Sequence, residues 1–251
     1  MIDQKKGASG AERAKDKPSH PKRFYKDVTI KDEPGGVTVL LDGKPVRAPG
    51  KAAFLLPNAV LAEAIAEEWR GQRARIDPAT MPLTRLANSI IDGVKGHEEA
   101  VIGDILNYAG SDLLCYRAEG PKGLVTQQTM HWDPIVAWAK QDLGAPMRLT
   151  EGVMHVTQPP ESLEALRSRL QHFDSWSLAA LHVMTGLSGS ALLALSVALG
   201  RLSAEEAWGA GHVDEDWQIS QWGEDKDARV RRESRRRDFS ASARIFDLLR
   251  G

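Results

Sequence analysis

The sequence predicts an α+β fold: a small N-terminal antiparallel sheet with a packed helix, followed by an all-helical C-terminal domain. Alternation of apolar and polar residues with period two is confined to residues 23–56. Beyond that segment, apolar residues recur at three- and four-residue steps. Strands and helices that segregate along a chain in this way are typical of α+β proteins. We place the boundary between domains 23–95 and 96–251 near residue 95.

The predicted sheet begins with a hairpin. Residues 28–30 and 37–41 alternate between apolar and polar side chains, and the Pro-Gly-Gly sequence at 34–36 is a turn signal between them. Asp-Gly at 42–43 is a two-residue turn signal, and residues 54–56 indicate a further short strand.

Helical periodicity begins after Asn58, a residue type that caps helix N-termini. Residues 60–69 form an amphipathic pattern that is expected to lie on the sheet, and residues 83–91 repeat the spacing. Further helices are predicted at 101–106, 132–143 and 161–173, and an apolar pair of helices is split at 186–189. A capping box of Ser203 and Glu206 predicts the start of another helix, which runs through Trp208 toward Trp217. A last helix ends at 245–249.

Composition excludes several classes of protein. The chain has 33 basic and 34 acidic residues, so no overall charge attracts it to nucleic acid or to a membrane surface. No apolar stretch reaches the roughly 18 residues of a membrane span. Cys115 is the only cysteine, which rules out an internal disulfide and a multi-cysteine zinc site and suits a reducing compartment.

Residues 1–22 contain almost no large apolar side chains, so we expect a disordered tail. The acids Asp3, Glu12 and Asp16 interrupt any amphipathic arginine helix of the mitochondrial presequence type. A bacterial cytoplasm is therefore the expected location, with the mitochondrial matrix as the expectation for a eukaryotic source.

No motif predicts catalysis. The chain contains neither of the glycine-rich motifs that bind phosphate, G-x-x-x-x-G-K-[ST] and G-x-G-x-x-G. None of its seven histidines is paired at the i, i+4 spacing of a zinc-binding helix. We therefore predict no catalytic residue, cofactor or metal. The sequence at 186–190 misses the nucleophile-elbow spacing by one residue and follows a helical pattern, which favours a helix cap. A hydrolase using His182 with Ser188 or Ser190 is one alternative.

A run of arginines between Arg229 and Arg237 is the best argument for a second alternative, a nucleic-acid-binding module. Acidic residues interrupt the run, helical spacing spreads it around the helix, and no aromatic residue alternates with it. A solvated face with ion pairs is the favoured interpretation.

The chain contains seven tryptophans and only three tyrosines. Each tryptophan could contribute to the core, because ring burial is strongly stabilising. Several also stand beside carboxylates or amides, a mixture that suits a partner interface. Spacing alone leaves both interpretations open.

Seven ordered segments resemble one known family. They are RFYKDV from Arg23, VLLDGKPVRAP from Val39, LAEAIAEEWRGQ from Leu61, IDPATMPLTRLANSIID from Ile76, SDLLCYRA from Ser111, WDPIVAW from Trp132 and QISQWGE from Gln218. In this order and at these separations the chain is similar to the F1-ATPase assembly chaperones that act on the α subunit, known in mitochondria and α-proteobacteria. The resemblance covers nearly everything after residue 22.

The resemblance implies a two-domain, non-enzymatic α+β protein that binds the unassembled F1-ATPase α subunit and releases it as the subunit pairs with β. It implies no nucleic-acid or membrane partner, and we expect a monomer. The positions carried over as partner-binding are Glu68, Trp69, Gln72, Asp92, Asp112, Trp132, Asp133, Gln218, Trp222 and Glu224. The chain departs from the family pattern at Ala48-Pro49 and at residues 226–229.

Overall fold

Three antiparallel strands form the sheet near the N-terminal end of the chain. The structure is a computed structural model and describes residues 20–250. Strands β1 (Val28–Glu33) and β2 (Gly36–Leu41) form the predicted hairpin, and β3 (Lys44–Pro45) follows β2. The turn between β2 and β3 has positive φ at both Asp42 and Gly43, the geometry that Asp-Gly favours in two-residue hairpins.

The helix α1 (Ala59–Arg70) packs on this sheet, as predicted. The side chain of Asn58 accepts a hydrogen bond from the backbone N–H of Leu61 and so caps the helix. The buried positions Leu61 and Ile65 lie one turn apart on the face toward the core. The helix α2 (Pro82–Ser89) follows and continues into a π-helical turn, Ile90–Val94.

The rest of the chain is mainly helical, which confirms the α+β class. The helices are α3 (Glu98–Ala109), α4 (Lys122–Asp142), α5 (Pro160–Leu170), α6 (Ser175–Ser188), α7 (Ala191–Ala198), α8 (Ala204–Gly211), α9 (Val213–Trp222) and α10 (Lys226–Arg250). The most deeply buried are α6 and α7, which pack against each other. Around them lie α3, α8 and α10. No helix between residues 20 and 250 is long and apolar enough to cross a membrane.

The last helix packs both on the N-terminal helices and on the helices that precede it. In α10, Phe239, Ile245 and Phe246 are buried, and the helix packs on α6 and α8 and also on α1 and α2. Asn58 donates from its side-chain amide to the carbonyl of Leu248 at 2.9 Å. An ion pair between Arg85 of α2 and Asp238 of α10 adds a second connection.

Two predicted helix boundaries are wrong, and one pair of short strands is absent from the prediction. Helix α4 begins at Lys122, ten residues before the predicted start, because its first turns carry few apolar residues at helical spacing. The helix predicted to run from Ser203 toward Trp217 breaks at His212 into α8 and α9. Two short strands, β4 (Tyr116–Arg117) and β5 (Thr150–Glu151), pair in parallel beyond the sheet.

The predicted disordered tail lies outside the described residues as far as residue 19. Its last three residues are part of the fold, since Lys22 forms an antiparallel bridge with Arg75. The carbonyl of Pro21 accepts a hydrogen bond from the N–H of Ile76 at 2.9 Å. Such long-range pairing has no signature in the local sequence.

Candidate partner-binding surface

The most prominent exposed aromatic side chain stands at the end of α9. Trp222 is 80% exposed, and the positive φ of Gly223 ends the helix directly after it. The neighbouring Gln218 and Glu224 are exposed as well. We call these three residues the Trp222 tip. Because an isolated tryptophan ring in water leaves a large apolar surface unburied, this tip is the first candidate for contact with a partner.

The helix that carries the tip is held by its inner side. The ring of Trp217 lies against Gly123 of α4, so closely that a Cβ at Gly123 would stand 2.2 Å from it. Only glycine therefore fits there without displacing the ring. On the other side of α9, Arg232 of α10 forms ion pairs with Glu215 and Asp216. These contacts fix the helix and leave the tip in solvent.

A second group of predicted residues surrounds the end of α1. The carboxylate of Glu68 accepts hydrogen bonds from the N–H groups of Leu83 and Thr84, both at 2.8 Å, and from the hydroxyl of Thr84 at 2.6 Å. It therefore caps the N-terminus of α2. Burial raises the pKa of Glu68, and these hydrogen bonds oppose the shift. The hydrogen bonds of this carboxylate are therefore made within the fold.

Gln72 and Trp69 lie beside it. Gln72 is buried, and its amide accepts from the N–H of Asp77 at 2.7 Å and donates to the hydroxyl of Thr80 at 3.0 Å. Trp69 is half-buried, and its ring meets that of Tyr25 edge-on at 5.6 Å. Its indole N–H is buried without a partner among residues 20–250. Trp69 thus retains some accessible surface, whereas Gln72 has almost none.

Asp112 is completely buried and joins two helical segments. One carboxylate oxygen accepts from the N–H of Leu114 and the other from the N–H of Leu192 in the first turn of α7, both at 3.1 Å. Burial raises the pKa of Asp112 to about 6, although these hydrogen bonds favour the charged form. Asp112 therefore has a structural role, joining two segments in the interior.

The raised pKa of Asp112 predicts an unusual pH dependence of stability. Because the folded state binds this proton more tightly than the unfolded chain, the stabilisation is fully present below the unfolded pKa of 3.8 and is lost as the pH rises through about 6. Between about pH 7 and about pH 5, we expect the wild type to gain about 1 kcal/mol relative to the Asp112→Asn variant, which does not titrate. Urea unfolding of both proteins at the two pH values measures this difference. A stability difference that does not change with pH would contradict it.

Trp132 is 0% exposed and lies in the middle of α4. Its indole N–H donates to the carbonyl of Ala210 in α8 at 2.7 Å. The guanidinium of Arg117 lies over the ring, 5.3 Å from its centre, and forms an ion pair with Asp133 at 2.6 Å. Trp132 therefore connects α4 to α8, while the neighbouring Asp133 is exposed.

Burial leaves Gln72, Asp112 and Trp132 almost no accessible surface in this conformation. Asp92 remains exposed and accepts a hydrogen bond from the N–H of Gly50 at 2.8 Å. The predicted positions with accessible surface lie at the Trp222 tip, near Trp69, at Asp92 and at Asp133.

Sequence reasoning missed two exposed apolar residues after β5. Val153 is 95% exposed and Met154 is 76% exposed. Apolar side chains in a short irregular segment have no periodicity that separates core from surface. The high exposure of this adjacent pair is visible only in three dimensions.

The two serines of the hydrolase alternative make hydrogen bonds within the fold. Ser188 and Ser190 are both buried, and the hydroxyl of Ser188 donates to the carbonyl of Met184 at 2.8 Å. The hydroxyl of Ser190 accepts from the N–H of Leu193 and caps α7.

Burial raises the pKa of the Cys115 thiol to about 12, which suits a packing role. Within residues 20–250, no cluster of three or more His, Cys, Asp or Glu side chains is arranged to hold a metal ion.

Comparisons with known proteins agree with the resemblance. A family model described as ATP12 chaperone protein matches residues 22–140. The mitochondrial protein atp12 of Schizosaccharomyces pombe is 26% identical over 219 residues, which cover 82% of this chain and 75% of that protein.

Solved structures match over most of the chain. A candidate chaperone from Agrobacterium tumefaciens is 48% identical with a TM-score of 0.87, over 91% of this chain and 86% of that one. Atp12 from Paracoccus denitrificans is 43% identical with a TM-score of 0.84, over 91% of this chain and 98% of that one. The chain therefore belongs to the ATP12 chaperone family.

Proposed function

We propose that this protein is an assembly chaperone for the F1 sector of ATP synthase. In this proposal it binds the unassembled α subunit, covers the surface destined for the β subunit, and prevents aggregation until α pairs with β. The observation that carries the proposal is the similarity to Atp12 structures along more than nine-tenths of the chain. The choice of the α subunit as the specific partner comes from the family resemblance of the sequence.

Such a function needs differential affinity and no chemical step. The chaperone must bind α tightly enough to prevent aggregation, and it must lose to β, which offers the larger native interface. An exposed tryptophan beside polar groups is a suitable anchor, since aromatic residues dominate the energy of many protein interfaces. We therefore assign direct contact first to the Trp222 tip.

The other accessible positions are second candidates for contact: Trp69, Asp92 and Asp133. Glu68, Gln72, Asp112 and Trp132 support the surface from within. We infer that the protein acts as a monomer, without cofactor, nucleic acid or membrane. The compartment would be the bacterial cytoplasm, or the mitochondrial matrix in a eukaryote.

Aggregation of the isolated α subunit tests the proposal. We expect an equimolar amount of the protein to suppress light scattering by α on warming, because the aggregation-prone surface is covered. The same amount of serum albumin is expected to have little effect. Undiminished scattering in the presence of folded protein would contradict the proposal.

A further inference from the structure

One face of α10 carries a row of positive side chains. Positions three, four and seven residues apart lie on the same side of a helix. By this spacing, one exposed row is formed by Lys226, Arg229, Val230, Glu233, Arg237 and Arg244. We call it the α10 stripe. At a rise of 1.5 Å per residue, it runs for about 27 Å.

Three other arginines of the run make contacts within the fold, while Arg231 is exposed on another side of the helix. Arg232 pairs with α9, and Arg236 forms an ion pair with Glu205 of α8 at 2.6 Å. Arg235 donates to the carbonyl of Leu187 at 2.8 Å. The predicted solvated face with ion pairs thus describes Arg232 and Arg236 and not the α10 stripe.

The charged side chains of the α10 stripe have no such partners. Within residues 20–250, none of its lysine, arginine or glutamate side chains makes a hydrogen bond or an ion pair. The stripe carries four cations and one acid, and its single apolar member, Val230, is 60% exposed. In a chain with a formal net charge of −1, this row carries a net positive charge, and Asp216 and Glu224 line the same depression as Arg229 at its first turns.

We propose that the α10 stripe receives an acidic segment of the client, the α subunit, and draws it toward the Trp222 tip. This inference rests on the proposed function and adds the chemistry of the client surface. Charge complementarity identifies an acidic occupant, and Val230 offers an apolar contact within the row. The stripe also begins four residues after Trp222, so one partner can span both features.

The composition of the α10 stripe favours protein over nucleic acid as the occupant. Glu233 stands between Arg229 and Arg237, where it would face the phosphates of a bound duplex. No aromatic residue lies in the stripe to stack on bases. A protein segment can place a basic or neutral residue opposite Glu233 and acids on either side of it.

Charges at the edge of an interface mainly change the association rate and its salt dependence. We therefore expect the triple variant R229Q/R237Q/R244Q to associate with isolated α subunit about tenfold more slowly at low salt. The dissociation rate should change much less. Near 1 M salt, where the Debye length is about 3 Å, the rates of the variant and wild type should converge.

Stopped-flow association of the full-length protein with the α subunit makes the measurement. The variant K122Q/K140Q/R169Q is the control, since it removes three exposed cations from α4 and α5 and has the same net charge. We expect this control to associate at the rate of the wild type. Equal rates for wild type and the stripe variant, or equal slowing of both variants, would overturn the inference.

Two outcomes separate this inference from the proposed function. If the wild type forms no complex with the α subunit, the proposed function fails and the inference fails with it. If a complex forms at a rate that the stripe does not affect, only the inference fails. Salt-sensitive binding of a labelled DNA duplex that only the stripe variant loses, with α-subunit association unchanged, would assign the surface to nucleic acid instead.

Discussion

Replacing Trp222 with alanine is expected to abolish protection of the α subunit while leaving the stability of the protein almost unchanged. The side chain is 80% exposed, so its loss should change the free energy of unfolding by no more than about 0.5 kcal/mol. If the ring is an interface anchor, its removal should weaken binding by about 2 kcal/mol or more, roughly thirtyfold. Light scattering of warmed α subunit and urea unfolding of the variant measure the two effects.

Met154→Ala is the matched control for this experiment. Met154 is 76% exposed and lies after β5, on a part of the chain that we do not assign to direct contact. We expect this variant to protect the α subunit as the wild type does. Full protection by the Trp222→Ala variant, or loss of protection explained by a lowered melting temperature, would remove the Trp222 tip from the interface.

Replacing Trp132 with alanine is expected to have the opposite signature. The variant should lose about 3 to 5 kcal/mol of stability, because a large buried ring leaves a cavity and the carbonyl of Ala210 loses its donor. Trp132→Phe keeps most of the ring and should lose about 1 to 3 kcal/mol, for the unpaired carbonyl. Urea unfolding measures both.

Lys140 provides a control in the same helix. It is exposed and makes no hydrogen bond or ion pair within residues 20–250, so Lys140→Ala should change the free energy of unfolding by no more than about 0.5 kcal/mol. A Trp132→Ala variant that retained wild-type stability and lost only client binding would show that the ring acts at an interface. The structural role of Trp132 would then be wrong.

Much of the fold could be predicted from short-range patterns. The alternation around Pro34 and the Asn58 cap each specify local structure through neighbouring residues, and both predictions are confirmed. The Ser203/Glu206 capping box is confirmed for the same reason. Errors occurred where distant contacts decide the structure. The start of α4 carries little apolar periodicity of its own, and β4 and β5 pair across more than thirty residues.

The candidate site was harder to predict, because similar local sequences have different surroundings. Trp132 and Trp222 both stand beside polar residues in a helix. The first is completely buried, and the carbonyl that accepts its N–H belongs to Ala210, 78 residues away. The second is exposed at the end of α9. Its neighbours in the sequence would have been equally compatible with a buried ring. Sequence spacing does not report such long-range contacts.

The central claim is reversible, noncovalent shielding of the α subunit, and size-exclusion chromatography with light scattering tests it most directly. Purified protein mixed with unassembled α subunit should elute as a one-to-one complex. Addition of β subunit should then release the free chaperone as α and β associate. Absence of the first complex, or retention of the chaperone in a stable assembly with both subunits, would contradict the account.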